Sequence, residues 1–160
     1  MNIEIRLADY LNPSDAKDIG FLLNGYASDK MGGGVPLPQH VQDNVARELS
    51  KLPYAFSVLC HVDGVPAGLV NCFEAFSTFA CKPLVNIHDI AVSSEFRGKG
   101  ISQKMLAVVE EIARKKGCCK ITLEVLQGNR VAQNAYRKFG FDNYALDPEA
   151  GHAEFWQKSL

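Results

Sequence analysis

The sequence predicts one α/β (α+β) domain of about seven strands and four helices, in the order β-α-α-β-β-β-α-β-α-β-β. Three observations carry that expectation. Two strand-like runs, 55–62 and 65–75, flank an Asp63-Gly64 hairpin signal. A long amphipathic helix, 98–116, stands between apolar strands at 86–92 and 120–126, the pattern of a right-handed βαβ unit. The 160 residues hold no repeat, low-complexity tract or linker, so one domain accounts for the length.

Each element has its own signal. Residues 2–8 (NIEIRLA) alternate polar and apolar, as a half-buried strand does. Asn12-Pro13-Ser14 starts a helix that runs to about Asp29, with Ile19, Leu22, Leu23 and Tyr26 at helical spacing. MGGGVPLP (31–38) interrupts it, and Val41, Val45 and Leu49 mark a second helix over 39–52. The hairpin strands follow, then a loop FSTFACKP (76–83). In the 98–116 helix, Ile101, Met105, Val108, Val109 and Ile112 form one stripe, and Gly117 ends it. After the strand KITLEVL, Asn129 caps a helix with Ala132, Ala135, Tyr136 and Phe139 on its buried face, stopped by Gly140. Two short strands are expected near 141–146 and 152–158.

Composition excludes several function classes. The chain is 47% hydrophobic, enough for a sizeable core, and its formal net charge is −1. A general nucleic-acid binder is more basic, so no nucleic-acid partner is expected. No run reaches the ~18 apolar residues of a membrane span, so no membrane partner is expected either. The start MNIEIRLADY lacks a basic-then-apolar signal pattern, which points to the cytoplasm. Five cysteines, with no C-x-x-C, read as free thiols in a reducing compartment. A nucleophilic thiol at Cys118 or Cys119 is the competing reading. No metal is expected.

The stretch HDIAVSSEFRGKGIS (88–102) runs from an apolar strand into a helix start. A helix start leaves about four backbone N–H groups unpaired at its electropositive end. Glycines admit a bulky anion to that backbone, and Arg97 and Lys99 add charge. The combination describes a phosphate or pyrophosphate cradle. An ordinary glycine-rich turn with solvated cations fits the four residues RGKG equally well. No G-x-x-x-x-G-K-[ST] occurs, and no G-x-G-x-x-G with an acidic residue after the next strand, so neither a nucleotide triphosphatase nor a dinucleotide enzyme is expected.

The surroundings are more specific. Ile90-Ala91-Val92, then Glu95-Phe96, then Arg97-Gly98-Lys99-Gly100-Ile101-Ser102 opening a long helix resembles the GNAT acetyltransferase superfamily, with Ser102 where that family prefers glycine or alanine. Asn129-x-x-Ala132-x-x-Ala135-Tyr136-x-x-Phe139-Gly140-Phe141 is similar to a second motif of the family, with Ala135 in place of leucine. The resemblance is clear over 85–141. It implies the GNAT fold: a central mixed, mostly antiparallel twisted sheet of about seven strands, a βαβ acetyl-CoA-binding core, and helices on both faces.

The resemblance also implies roles. Acetyl-CoA would set its pyrophosphate on the amides of Gly98, Lys99, Gly100, Ile101 and Ser102, beside Arg97. Its pantetheine arm would run along Ile90, Ala91 and Val92, where two parallel strands splay apart. Asn129 would contact the cofactor. Tyr136 is the expected general acid, since a phenol can protonate a departing thiolate; the competing reading is a core aromatic. His88, two residues before Ile90 and so on the same strand face, is the expected base, with Asp89 or Glu124 acting through water as competitor. Asp89, Glu74 and Glu124 could attract a cationic acceptor, against loop 31–36 and with loop 76–83 opposite. The expected activity is acetyl transfer to a primary amine of a small molecule, polyamine-, amino-acid- or antibiotic-like. A protein N-terminus or lysine as acceptor, or a silent acyl-CoA sensor, are the alternatives. A homodimer is expected by analogy.

Overall fold

The computed structural model describes residues 1–160. Five strands form one sheet in sequence order: β1 (Ile3–Leu7), β2 (Ala55–Val62), β3 (Val65–Ser77), β4 (Lys82–Val92) and β5 (Ile121–Leu123). The first three pairings are antiparallel and β4–β5 is parallel. Between β1 and β2 lie α1 (Pro13–Ser28) and α2 (Gln39–Ser50); α3 (Ile101–Lys115) crosses from β4 to β5, and α4 (Arg130–Phe139) follows.

Local chemistry sets the helix ends. The Asn12 side chain accepts from the amides of Ser14 and Asp15, and Pro13 supplies a preset φ. The Asn129 side chain accepts from the amide of Ala132, and Gly140 closes α4 in a left-handed conformation. Helix α3 starts at Ile101 rather than Gly98, because Gly98 and Gly100 adopt φ of 76° and 74°, which no right-handed helix contains.

Strand alternation gives the sheet two apolar faces. Val58, Cys60, Val70, Cys72, Val85 and Ile87 pack with Ile101, Met105, Leu106 and Val109 of α3. On the other face Leu59 and Leu69 pack with Ile19 and Leu22 of α1 and Ala46 of α2. Full burial of such a side chain contributes about 1.5–3 kcal/mol, so these two layers fix α3 and the α1–α2 pair on opposite sides.

Three expectations are corrected. The 76–83 loop is shorter, since β3 extends to Ser77 and β4 begins at Lys82. Strand β5 stops at Leu123 instead of Leu126, and the β4–β5 ladder ends with Ile87 opposite Leu123. The two C-terminal strands do not form; residues 141–160 hold only the 3₁₀ turn Pro148–Ala150. Residues 142–160 are all exposed, and a short β5 offers little edge to pair with.

Candidate active site

The cradle lies at the start of α3. Gly100 occupies its N-cap position with no side-chain capping bond, so the first amides of the 15-residue helix find no side-chain acceptor. A Cβ at Gly98 or Gly100 would meet nothing within 4 Å. The surface above these amides is open, and the helix end is electropositive. The backbone amides from Gly98 to Ser102 border open space that admits an anion. Lys99 stands over the Phe96 ring at 5.2 Å. Arg97 is more constrained than its sequence suggests. Its Nε donates to the Val92 carbonyl at 3.0 Å, and Nη2 donates to Asp29 Oδ2 at 2.9 Å. Asp29 caps the turn after α1 by accepting from the Met31 amide. The Arg97 bond, then that amide, hold the Asp29 carboxyl below its ordinary range.

Beyond Ile87 and Leu123, β4 runs on without β5. Ser93 donates its amide to the Ala67 carbonyl of β3. By strand alternation, Ile90 and Val92 turn their backbone groups the other way, into the opening left by β5. The backbone of Ile90 and the Val92 amide therefore line a free strand edge on either side of Ala91, while the Val92 carbonyl accepts from Arg97. Tyr136 packs against the same α3-side core as Ile90 and Val92. Helix α4 is held to α3 by Gln103, whose side-chain amide donates to the Ala135 carbonyl at 2.8 Å. Tyr136 packs edge-on against Phe141, 6.0 Å between centroids. Burial, and then the nearby Tyr26 phenol, push the Tyr136 hydroxyl up to about 12. Tyr26 hangs from α1, on the opposite face of the sheet. Asn129 stays engaged as the α4 cap.

His88 requires a correction. In β4, Asp89 pairs with Asn71 but Ile87 pairs with Cys72, so His88 is the extra residue of a β-bulge. The bulge reverses the alternation. Ile90 and Val92 pack into the α3-side core, whereas His88 and Asp89 line a cavity of about 370 Å³ on the α1–α2 face. His88 is exposed there and meets Phe73 edge-on, 5.5 Å between centroids. Leu23 and Tyr26 of α1, Val41 and Val45 of α2, and Gly32 and Leu37 between them complete much of the wall. A second cavity of about 390 Å³ reaches from Tyr26 to Asp29, Ala91 and Arg97, so Tyr26 borders both.

A polar chain ends at this cavity. Tyr10 OH meets Ser57 Oγ at 2.7 Å, Ser57 Oγ donates to Asn71 Oδ1 at 2.6 Å, and Asn71 Nδ2 donates to Asp89 Oδ2 at 3.0 Å. Ser57 and Asn71 are buried. Tyr26, Phe73, Asn71, Ser57 and Tyr10 are absent from the sequence-based site. The one signal was a polar Asn71 inside an apolar strand, since buried amides are rare unless bonded.

Other candidates fall away from the opening. Glu74 pairs with Lys116 at 2.6 Å, near the far end of α3. Glu124 is exposed, and residues 76–83 line neither cavity. Cys60 and Cys72 are buried free thiols, and burial pushes the Cys72 thiol far up. Cys118, also raised by burial, follows the C-terminal end of α3, about 22 Å of helix from the cradle. No helix is long and apolar enough to cross a membrane.

Comparison with known proteins adds a family. The model of the acetyltransferase (GNAT) family matches residues 26–141. A putative ribosomal protein bS18-alanine N-acetyltransferase of Bacillus subtilis is 28% identical over 99 residues, 62% of this chain and 62% of that protein. Streptothricin acetyltransferase of Streptomyces lavendulae is 38% identical over 85 residues, 53% of this chain and 43% of that protein. The chain thus spans less than two thirds of either relative. Among solved structures, an aminoglycoside N-acetyltransferase in complex with CoA superposes with a TM-score of 0.76 at 19% identity, over 99% of this chain and 96% of that one.

Proposed function

The chain belongs to the GNAT acetyltransferase family, and from that premise we propose that it transfers an acetyl group from acetyl-CoA to a primary amine of a small molecule. The observation that carries this is a track of an uncapped α3 N-terminus with two left-handed glycines, the free edge of β4, and Tyr136 packed on the same core as Ile90 and Val92. Polyamine-, amino-acid- and antibiotic-like amines are the candidate acceptors. The modest size of the α1–α2 cavity, about 370 Å³, supports a small molecule over an extended peptide.

Acetyl-CoA supplies a thioester carbonyl carbon, to which the amine nitrogen bonds as the carbon–sulfur bond breaks. The amides of Gly98 to Ser102 hold the pyrophosphate, and the edge at Ile90 donates a backbone N–H to the carbonyl oxygen. The α1–α2 cavity holds the amine against that edge, so proximity contributes. His88 takes a proton from the ammonium through its exposed ring or one water. Tyr136 gives its phenolic proton to the departing sulfur, and the nitrogen's second proton restores it. Residues Arg97, Lys99 and Asn129 flank the bound co-substrate. The five free thiols support a reducing, cytoplasmic setting. Exposed Phe155 and Trp156 support a homodimer, checked by light scattering on the full chain.

Incubation with acetyl-CoA and a panel of amines, read by mass spectrometry for acetyl adducts, tests the activity. Products from small amines are expected. Products from peptide N-termini alone would replace the acceptor class. Acetyl-CoA binding with no product from any amine would favour a silent acyl-CoA sensor.

A further inference from the structure

The α1–α2 cavity has a composition that selects among amines. Its wall is mostly aliphatic and aromatic, with Leu23, Val41 and Val45 facing Phe73. Among its lining residues one carboxylate occurs, Asp89, and no lysine or arginine. The polar chain behind Asp89 is directional. Ser57 Oγ spends its proton on Asn71 Oδ1, so Tyr10 OH must donate to Ser57, and the Asn71 amide must point its N–H₂ at Asp89. Three donors in series run from Tyr10 to one carboxylate oxygen. They hold one carboxylate oxygen in place and fix its rotamer. Asp89 Oδ1 receives no protein donor and remains for a ligand.

We propose that the cavity takes a compact, singly charged primary amine with an alkyl or aryl body, its ammonium anchored on Asp89 and its body lying among Phe73, Leu23, Val41 and Val45. This rests on the chain being an amine acetyltransferase. At the density of liquid water, about 370 Å³ accommodates about a dozen non-hydrogen atoms. A diamine of similar length would leave its second cation against leucine and valine without a partner, which is costly. An α-amino acid would bring a carboxylate beside Asp89 with no cation in the wall to receive it. An aminoglycoside carries several cations and would meet a single carboxylate in this wall. Asn71, Ser57 and Tyr10 act as positioning residues through Asp89.

The test compares kcat/KM at saturating acetyl-CoA for phenethylamine, hexylamine, 1,6-diaminohexane, phenylalanine and an aminoglycoside, by thiol release. The first two are expected to exceed each of the others by at least about 30-fold. Asp89→Asn should raise KM for the monoamine about 10- to 150-fold, the worth of one charge-assisted bond, without changing KM for acetyl-CoA. Ser57→Ala should raise the same KM less, and this rise should vanish in the Asp89→Asn background, which a purely structural loss would not do. Preference for the diamine or aminoglycoside would overturn the proposal while leaving acetyl transfer standing. Equal rates for all five amines would also overturn it. No turnover of any amine would overturn both. The amine panel on the unmodified protein does not depend on any variant folding.

Discussion

Replacing Gly100 with alanine separates backbone strain from ligand binding. Gly100 has φ of 74°, and an added Cβ meets no atom within 4 Å. Steric collision inside the protein therefore contributes nothing, and only the conformation is unfavourable. A left-handed alanine costs about 1–2 kcal/mol, offset by about 0.4–1 kcal/mol from a stiffer unfolded chain. The net loss of about 1 kcal/mol lowers Tm by about 2–4 °C for a domain of this size. Gly64, in the β2–β3 turn, has φ of 80° and equally open surroundings. Gly64→Ala should lower Tm by the same amount, because the backbone penalty is the same. The two variants should part company in binding. At Gly100 the methyl group enters the space above the α3 amides and displaces an anion from at least one charge-assisted bond. That loss weakens acetyl-CoA about 10- to 150-fold, measured by calorimetry, whereas Gly64→Ala binds as the unmodified chain does. Equal Tm losses with unchanged affinity in both variants would refute the placement of the pyrophosphate at this helix end.

Tyr136→Phe should lower kcat about 100-fold with acetyl-CoA affinity retained. Because burial pushes the Tyr136 hydroxyl up to about 12, the phenol stays protonated through the working range; an alkaline loss of rate near pH 10 that disappears in the variant would contradict this. Asp15 is 2% exposed, accepts two bonds from Arg6 at 2.7 and 2.8 Å, and takes the Asp9 amide. The Arg6 bonds hold its carboxyl below the ordinary value of 3.8. Its stabilisation is complete above that value and lost as pH falls through the lower folded one. Asp15→Asn should therefore cost about 2–3 kcal/mol at pH 7 and flatten the fall in Tm between pH 5 and 2; a parallel fall would count against the linkage. Iodoacetamide at neutral pH should modify the exposed Cys81 and Cys119 and spare Cys60 and Cys72, by peptide mass mapping, with acetyl transfer unchanged. Inactivation in step with Cys119 modification would revive a thiol enzyme.

Local signals proved legible where a few neighbouring residues decide the outcome. The caps at Asn12 and Asn129, the turn at Asp63-Gly64 and the stripe from Ile101 to Val109 each follow from short-range chemistry, and each is found. Pairing was less legible. The bulge at His88 depends on the register of β4 against β3, which the residues of β4 alone do not fix. Alternation through an unbroken strand put His88 on the face of Ile90; one extra residue put it opposite. The chain from Tyr10 to Asp89 joins four elements of sequence 79 residues apart at its ends, so spacing carries no trace of it. The C-terminal expectation failed for the converse reason: residues 152–158 could extend as a strand, but no sheet edge receives them. The open, uncapped start of α3 was readable because glycines, cations and a helix start lie together within six residues.

Calorimetric titration of the full chain with acetyl-CoA tests the central claim most directly. One saturable site per chain, competed by CoA and weakened by Gly100→Ala but not by Gly64→Ala, is the predicted result. No binding of acetyl-CoA by a folded chain would contradict the cradle, the track along β4 and the activity built on them.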